Sequence, residues 1–211
     1  MLDTICDVLK KSYELKWISS RDGNASFRRK DDSYLYVTPS GVRKQNLHSE
    51  MLLKLNIKID DTKYGISYTR EYDDEEQNKL TGLQPTGELL LHLLLQKNIT
   101  DNRVVLHLHP TYIIAAMHAG INLQEVSVLF PEINRYTRVG PTVPEVPPIS
   151  EQLANETIKS FDINEMGEVK YDIVGLKQHG VVIVAKDAWI AFEHCERLEH
   201  ICQIILASGR Y

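Results

Sequence analysis

Cysteine is scarce in this chain, which has only Cys6, Cys195 and Cys202 among its 211 residues. Three thiols so far apart are too few for a disulfide framework, and their spacing does not fit a metal site built from cysteine. We therefore expect the three cysteines to be small buried residues on helices.

The chain also lacks an excess of basic residues and any long apolar run. Its 24 lysines and arginines are scattered and are outnumbered by 29 acidic residues, which gives a net charge of -5. This pattern argues against a nucleic-acid partner. No apolar run approaches the roughly 20 residues of a membrane span, and the N-terminal segment is too charged for a signal peptide. We expect a cytoplasmic protein that binds neither nucleic acid nor a membrane.

The chain does have the composition of an ordinary globular protein, with 43% hydrophobic and 25% charged residues. Its length suits one domain spanning residues 1–211. Helical and strand patterns alternate along it, and several strands come in hairpin-like pairs. These features predict an α/β fold in which helices flank a mixed, largely antiparallel central sheet.

Hydrophobic spacing predicts five helices, over residues 2–16, 86–98, 110–119, 151–161 and 187–207. Thr86 is the expected N-cap of the second helix, and Pro110 the first residue of the third. A strand hairpin is predicted over 27–41, and a further strand follows a short helical start at residue 49. One strand is predicted over 103–109, and residues 171–187 are predicted as a pair of strands or as one broken strand. Residues 59–82 are polar, and their acidic run at 73–76 is interpreted as a solvated loop or hairpin tip.

Two histidines interrupt the apolar run "RVVLHLHP". Because side chains two apart on a strand share a face, His107 and His109 should lie side by side. One metal ion can satisfy both imidazoles, and a catalytic zinc typically has three protein ligands. The best candidate for the third is His179, which also interrupts an apolar strand and precedes Gly180, where a missing side chain leaves room for close approach.

A strand histidine can also be a hydrogen-bonded or half-exposed residue without any metal, so this interpretation has an alternative. The other five histidines are interpreted as packing or surface residues: His48, His92, His118, His194 and His200.

Five short motifs, "GNAS", "VTPSG", "PTGE", "HLHP" and "QHGVV", occur in the order and approximate spacing of the class II aldolase/adducin family. The chain resembles this family along nearly its whole length. The resemblance implies a single α/β/α domain in a homotetramer with active sites at subunit interfaces. It also implies that His107, His109 and His179 hold a zinc ion and that Glu88 is the general acid/base.

The residue types agree with that chemistry. Breaking a C–C bond beside a carbonyl leaves negative charge on oxygen, which zinc can stabilise as a Lewis acid. A position in the first turn of a helix favours the carboxylate form of Glu88, although the residue could simply complement the helix dipole. Turns containing glycine can bind phosphate through backbone N–H groups. The resemblance implies that the phosphate is surrounded by Asn24, Ser40, Gly41, Thr86 and Gly87. Their alternative interpretation is ordinary turn chemistry.

The resemblance implies a zinc-dependent aldolase that cleaves a phosphorylated keto sugar, such as fuculose 1-phosphate, to dihydroxyacetone phosphate and an aldehyde. In such aldolases a tyrosine from a neighbouring subunit protonates the aldehyde oxygen, and Tyr136 lies in roughly the right segment. Glu132 could serve a dehydratase or decarboxylase of a related sugar phosphate instead. A non-catalytic, adducin-like scaffold is a further alternative. The chain departs from the family pattern at Arg21, at "TGE" and in the long segment 59–82. Arg21 is a further candidate for phosphate binding.

Overall fold

A computed structural model describes residues 1–29, 32–71, 82–101 and 103–209. The predicted acidic run at 73–76 lies outside the described residues, and so do residues 30 and 31 of the hairpin predicted over 27–41.

Seven strands of the described part form one sheet in the order β4-β3-β2-β1-β5-β7-β6. All six neighbouring pairs are antiparallel. Two isolated parallel bridges add the segment around Val139 and Val143 to the edge at β6. The strands are β1 (Asn24–Arg28), β2 (Tyr34–Val37), β3 (Leu53–Lys58), β4 (Ser67–Arg70), β5 (Arg103–Leu108), β6 (Ile173–Leu176) and β7 (Gly180–Ala185).

Helices cover both faces of this sheet. They are α1 (Leu2–Glu14), α2 (Leu89–Asn98), α3 (Thr111–His118), α4 (Leu123–Leu129), α5 (Glu151–Phe161) and α6 (Ala188–Ser208). One hydrophobic cluster joins α1, α3, α4 and α6 to one face, and a second joins α2 and α5 to the other. Alternation along β5 supplies both clusters, since Val104 and Leu106 belong to the first and Val105 to the second. The predicted α/β/α arrangement is confirmed.

Several element boundaries differ from the sequence-based predictions. α2 begins at Leu89 with Glu88 as its N-cap, not at Thr86. The reason is tertiary: the Thr86 N–H donates to the carbonyl of Thr38 at 3.1 Å, and Pro39 and Pro85 form a β-bridge, so this segment is extended. Pro110 is the N-cap of α3, not its first residue, because its ψ of 132° is extended.

One strand and one α-helix of the described part were not predicted. They are β4, within the polar segment, and α4, whose N-cap is Asn122. The final predicted helix is confirmed, and Asp187 caps it by accepting from the N–H of Trp189. Cys6 lies on α1, whereas Cys195 and Cys202 lie on α6, and all three are buried as expected. Within the described ranges, no helix is long and apolar enough to cross a bilayer.

Candidate active site

The three predicted histidines meet at one end of the sheet. His107 lies near the end of β5, His109 follows the strand, and His179 lies in the turn between β6 and β7. Their candidate ligand atoms all lie within 4.8 Å of one another. The Nε2 atoms of His107 and His109 are 2.8 Å apart. The antiparallel pairing of β5 with β7 therefore brings together residues about 70 positions apart in the sequence.

Gly180 makes this meeting possible. It faces β5 so closely that a Cβ atom at this position would lie 2.3 Å from the carbonyl oxygen of Leu108. The same atom would lie 2.9 Å from Cδ2 of His109. Gln178, on the other side of His179, has a left-handed φ of 58°. This tight turn places the His179 ring beside the other two rings, with centroid separations of 4.8 and 5.2 Å.

The protonation of these rings suits a metal ligand. His107 donates from Nδ1 to the carbonyl oxygen of Val181 at 2.9 Å, so in its neutral form the lone pair is on Nε2. Burial lowers the pKa of His109 to about 3, and burial also lowers the pKa of His179. Neutral imidazoles whose nitrogens converge are the donor set that zinc prefers. The three residues therefore fit the metal that the sequence predicts.

Glu88 completes the group of polar side chains. Its Oε2 lies 3.3 Å from Nε2 of His107 and accepts a hydrogen bond from Nδ2 of Asn24 at 2.8 Å. Burial raises the pKa of Glu88, but His107, the Asn24 hydrogen bond and His179 outweigh it, and the net pKa is below its usual value. Its Oε1, 3.7 Å from Nε2 of His179, is buried without a hydrogen-bond partner among the described residues. A carboxylate oxygen left in this state is available to a ligand.

The three histidines and Glu88 line a pocket of about 190 Å³. The five predicted phosphate-binding residues line the same pocket: Asn24, Ser40, Gly41, Thr86 and Gly87. Ser40 donates its N–H to the carbonyl of Gln84 at 2.7 Å, which links the turn at Ser40 and Gly41 to the segment that leads into Thr86 and Gly87. The N–H groups of Gly41 and Gly87 have no partner within the described part of the chain. Asn24 differs, because both polar atoms of its side chain are already bonded to Glu88 and His92.

Lys44 is a pocket residue that sequence reasoning missed. Its side chain is almost fully buried, and Nζ donates to the carbonyl oxygens of Arg21 and Val42 at 3.1 and 3.2 Å. Burial lowers the pKa of Lys44 to about 8, against the opposing effect of Asp22. Lys44 and Arg21 both line the pocket and give it positive charge. The signal in the sequence was weak, because Lys44 stands in a polar segment that resembles an ordinary surface turn.

His92 is interpreted from the sequence as a packing or surface residue, and the structure buries it. It is fully buried, and both ring nitrogens have hydrogen-bond partners, with Nε2 2.5 Å from Oδ1 of Asn24 and Nδ1 2.8 Å from Oγ of Ser26. Its position four residues after Glu88 was an available signal, because residues i and i+4 share one face of a helix.

Tyr136 and Glu132 lie outside the pocket within one chain. Tyr136 is exposed beside the guanidinium of Arg197, 5.2 Å from its ring centroid. Glu132 is exposed and bonds to Arg135. A single chain therefore brings the histidines, Glu88 and the turns together, but not the two residues predicted between 130 and 140.

Residues 3–206 match the family model described as class II aldolase and adducin N-terminal domain. The chain belongs to the class II aldolase and adducin family. It is 26% identical over 201 residues to an L-fuculose phosphate aldolase of Methanocaldococcus jannaschii, covering 95% of this chain and 93% of that protein. It is 28% identical over 201 residues to a 3-oxo-tetronate 4-phosphate decarboxylase of Haemophilus influenzae, covering 91% and 80%.

The fold agrees with this membership. The structure matches an L-fuculose 1-phosphate aldolase with a TM-score of 0.72 at 17% identity, covering 97% of this chain and 84% of that one. The aldolase and the decarboxylase relatives are similar to this chain to nearly the same degree. Family membership thus limits the chemistry to that of this superfamily and leaves the reaction to be argued from the site.

Proposed function

We propose that this protein is a zinc-dependent aldolase that cleaves a phosphorylated keto sugar, of the fuculose 1-phosphate type, to dihydroxyacetone phosphate and an aldehyde. The observation that carries the proposal is the convergence of His107, His109 and His179 on the buried carboxylate of Glu88, one oxygen of which has no protein partner among the described residues. A purely structural histidine cluster would not need that oxygen.

Zinc would be held by the three histidines, and when bound it supplies a Lewis acid that stabilises negative charge on substrate oxygens. The carboxylate of Glu88 moves the proton to and from the substrate carbon. Its lowered pKa keeps it ionised at neutral pH, and its unpartnered Oε1 is the oxygen available to that proton. Asn24 holds the other oxygen, so the two oxygens of Glu88 have different tasks.

The phosphate would bind at the other end of the pocket. The unpartnered N–H groups of Gly41 and Gly87 supply donors, together with the hydroxyls of Ser40 and Thr86. Lys44 supplies positive charge close to these turns, and Arg21 adds to it. Because the pKa of Lys44 is about 8 in the free protein, its charge is present at neutral pH and is lost as the pH rises above that value.

Tyr136 is proposed as the acid for the aldehyde oxygen, supplied to the site of a neighbouring subunit. Its exposure and its distance from the pocket of its own chain support a role across an interface. This role requires an oligomer, and we propose a homotetramer in the cytoplasm. A small-molecule sugar phosphate is then the expected partner, without nucleic acid or membrane.

Decarboxylation of a related sugar-acid phosphate is the second candidate. The observation in its favour is the 28% identity to the Haemophilus influenzae decarboxylase, as high as that to the aldolase relative. Both reactions leave negative charge beside a carbonyl, so both would use the same histidines and Glu88.

A partial reaction tests the aldolase proposal. The zinc-loaded protein is incubated with dihydroxyacetone phosphate in heavy water, and exchange of its carbon-bound proton is followed by NMR. An aldolase should exchange this proton without any aldehyde, because exchange needs only the metal and the base. A fully zinc-loaded protein that does not exchange would contradict the aldolase proposal. Loss of carbon dioxide from 3-oxo-tetronate 4-phosphate also gives dihydroxyacetone phosphate, so the two reactions are separated by their substrates. An aldolase releases an aldehyde from fuculose 1-phosphate, whereas a decarboxylase releases carbon dioxide from the tetronate phosphate.

A further inference from the structure

A chain of buried hydrogen bonds leads from Glu88 into the core between β1 and α2. Asn24 and Ser26 lie on the face of β1 that looks toward α2, and His92 and Gln96 lie one turn apart on that helix. The bonds run from Glu88 to Asn24, then to His92, Ser26 and Gln96. All five side chains are buried.

Hydrogen-bond chemistry gives every link of this chain one direction. A carboxylate can only accept, so Asn24 must present its NH₂ group to Glu88 and its carbonyl oxygen to His92. His92 must then donate from Nε2, which leaves Nδ1 to accept from the hydroxyl of Ser26. The Ser26 oxygen in turn accepts from Nε2 of Gln96 at 3.2 Å.

The direction matters because an amide can turn over. If Asn24 were flipped, its carbonyl oxygen would face the Glu88 carboxylate, which is repulsive, and its NH₂ would face the N–H of His92 unless that ring changed tautomer. His92 is fully buried and Gln96 is anchored to the carbonyl of Arg103 at 3.2 Å, so the far end of the chain is fixed. Burial also lowers the pKa of His92 to about 4, which keeps its ring neutral.

We propose that His92 is a positioning residue for the base: through the amide of Asn24 it holds Oε2 of Glu88, so that Oε1 stays free beside the three histidines. This inference rests on the proposed role of Glu88 as the base. It also assigns the side chain of Asn24 to orienting Glu88 and not to binding phosphate.

The test compares two substitutions of His92 with a matched one on the surface. His92→Phe keeps a ring but removes both nitrogens, whereas His92→Gln keeps an amide N–H that can reach Asn24. His118→Phe makes the same chemical change at an exposed site on α3. Each protein is examined for zinc content, thermal unfolding, and the rate of proton exchange of dihydroxyacetone phosphate.

His92→Phe should retain zinc and its KM for dihydroxyacetone phosphate, while the maximal exchange rate falls about 10- to 100-fold, as for other residues that orient a functional group. His92→Gln should recover most of that loss, and His118→Phe should match the wild type. In the double variant with Glu88→Gln, the His92→Phe change should have no further effect, because both act through one carboxylate.

A second readout does not depend on activity. In metal-free protein, the side-chain NH₂ of Asn24 should give NMR signals that are protected from solvent exchange. This protection should be lost in His92→Phe and kept in His92→Gln. Loss of zinc in His92→Phe, additive effects in the double variant, or an unchanged Asn24 amide would overturn the proposal. If the wild type does not exchange dihydroxyacetone phosphate at all, the aldolase assignment fails, and the Asn24 signals alone decide whether His92 orients this amide.

Discussion

Replacing Gly180 by alanine tests how closely the proposed metal site depends on the approach of β5 to β7. The new Cβ atom would lie 2.3 Å from the carbonyl oxygen of Leu108, 2.9 Å from Cδ2 of His109 and 3.2 Å from Cε1 of His107. Contacts under 3.0 Å essentially do not occur, so the two strands must separate by at least about 0.7 Å. The backbone carbonyl cannot swing aside as the end of a flexible side chain could.

This displacement is large for a metal site. Metal–ligand distances tolerate changes of about 0.2 Å, so moving β5 against β7 must separate His179 from His107 and His109. We expect Gly180→Ala to lower zinc affinity about 10- to 100-fold, as other changes that disturb ligand orientation do. Crowding of this kind also destabilises by about 1 to 3 kcal/mol, or about 2 to 12 °C in Tm for a chain of this size.

The assay is competition for zinc against a chromogenic chelator, with thermal unfolding of the metal-free protein measured separately so that metal binding does not contribute to Tm. Gly82→Ala is the matched control, because a Cβ atom at residue 82 would have no neighbour within 4 Å among the described residues. It should change neither quantity. The reasoning is refuted if Gly180→Ala keeps the zinc affinity and the Tm of the wild type. It is also refuted if Gly82→Ala loses as much zinc affinity and Tm as Gly180→Ala does.

Four further predictions concern the same site. Alanine at any one of the three histidines should lower zinc well below one ion per chain by metal analysis, whereas alanine at His118 should not. Glu88→Gln should retain zinc but lower the proton exchange of dihydroxyacetone phosphate about 10²- to 10⁴-fold. Affinity for dihydroxyacetone phosphate should fall as pH rises through about 8, where Lys44 loses its charge, and Lys44→Met should weaken binding and remove this dependence. Light scattering should give about four times 24.2 kDa, and an active monomer would contradict the role proposed for Tyr136.

The strand histidines could be predicted because a strand has a strict period of two. His107 and His109 interrupt an apolar run at that spacing, and in the structure Val104, Leu106 and Leu108 do pack on the opposite face. The pattern could not show how close β7 comes to β5. Only the glycine after His179 indicated a close approach, and the strand register supplies the distance.

The start of α2 could not be predicted from local propensity. Thr86 is a favourable N-cap residue, and the leucine run begins three positions later. The pairing of this segment with Thr38 and Pro39 keeps it extended, and that contact spans more than 40 residues of sequence. As a result Glu88 stands at the N-cap, where its side chain points to the histidines instead of the helix's own N–H groups.

His92 shows what a polar residue in an apolar run does and does not reveal. Burying an imidazole without partners would cost about 1 to 3 kcal/mol, so a histidine inside "LLLHLLL" requires hydrogen bonds to both nitrogens. The sequence cannot say where they come from, since its partners Asn24 and Ser26 are 68 and 66 residues away. Yet the helical period places His92 on the side of α2 that carries Glu88. Buried partners and a shared face together make this buried residue a neighbour of Glu88 in the candidate active site.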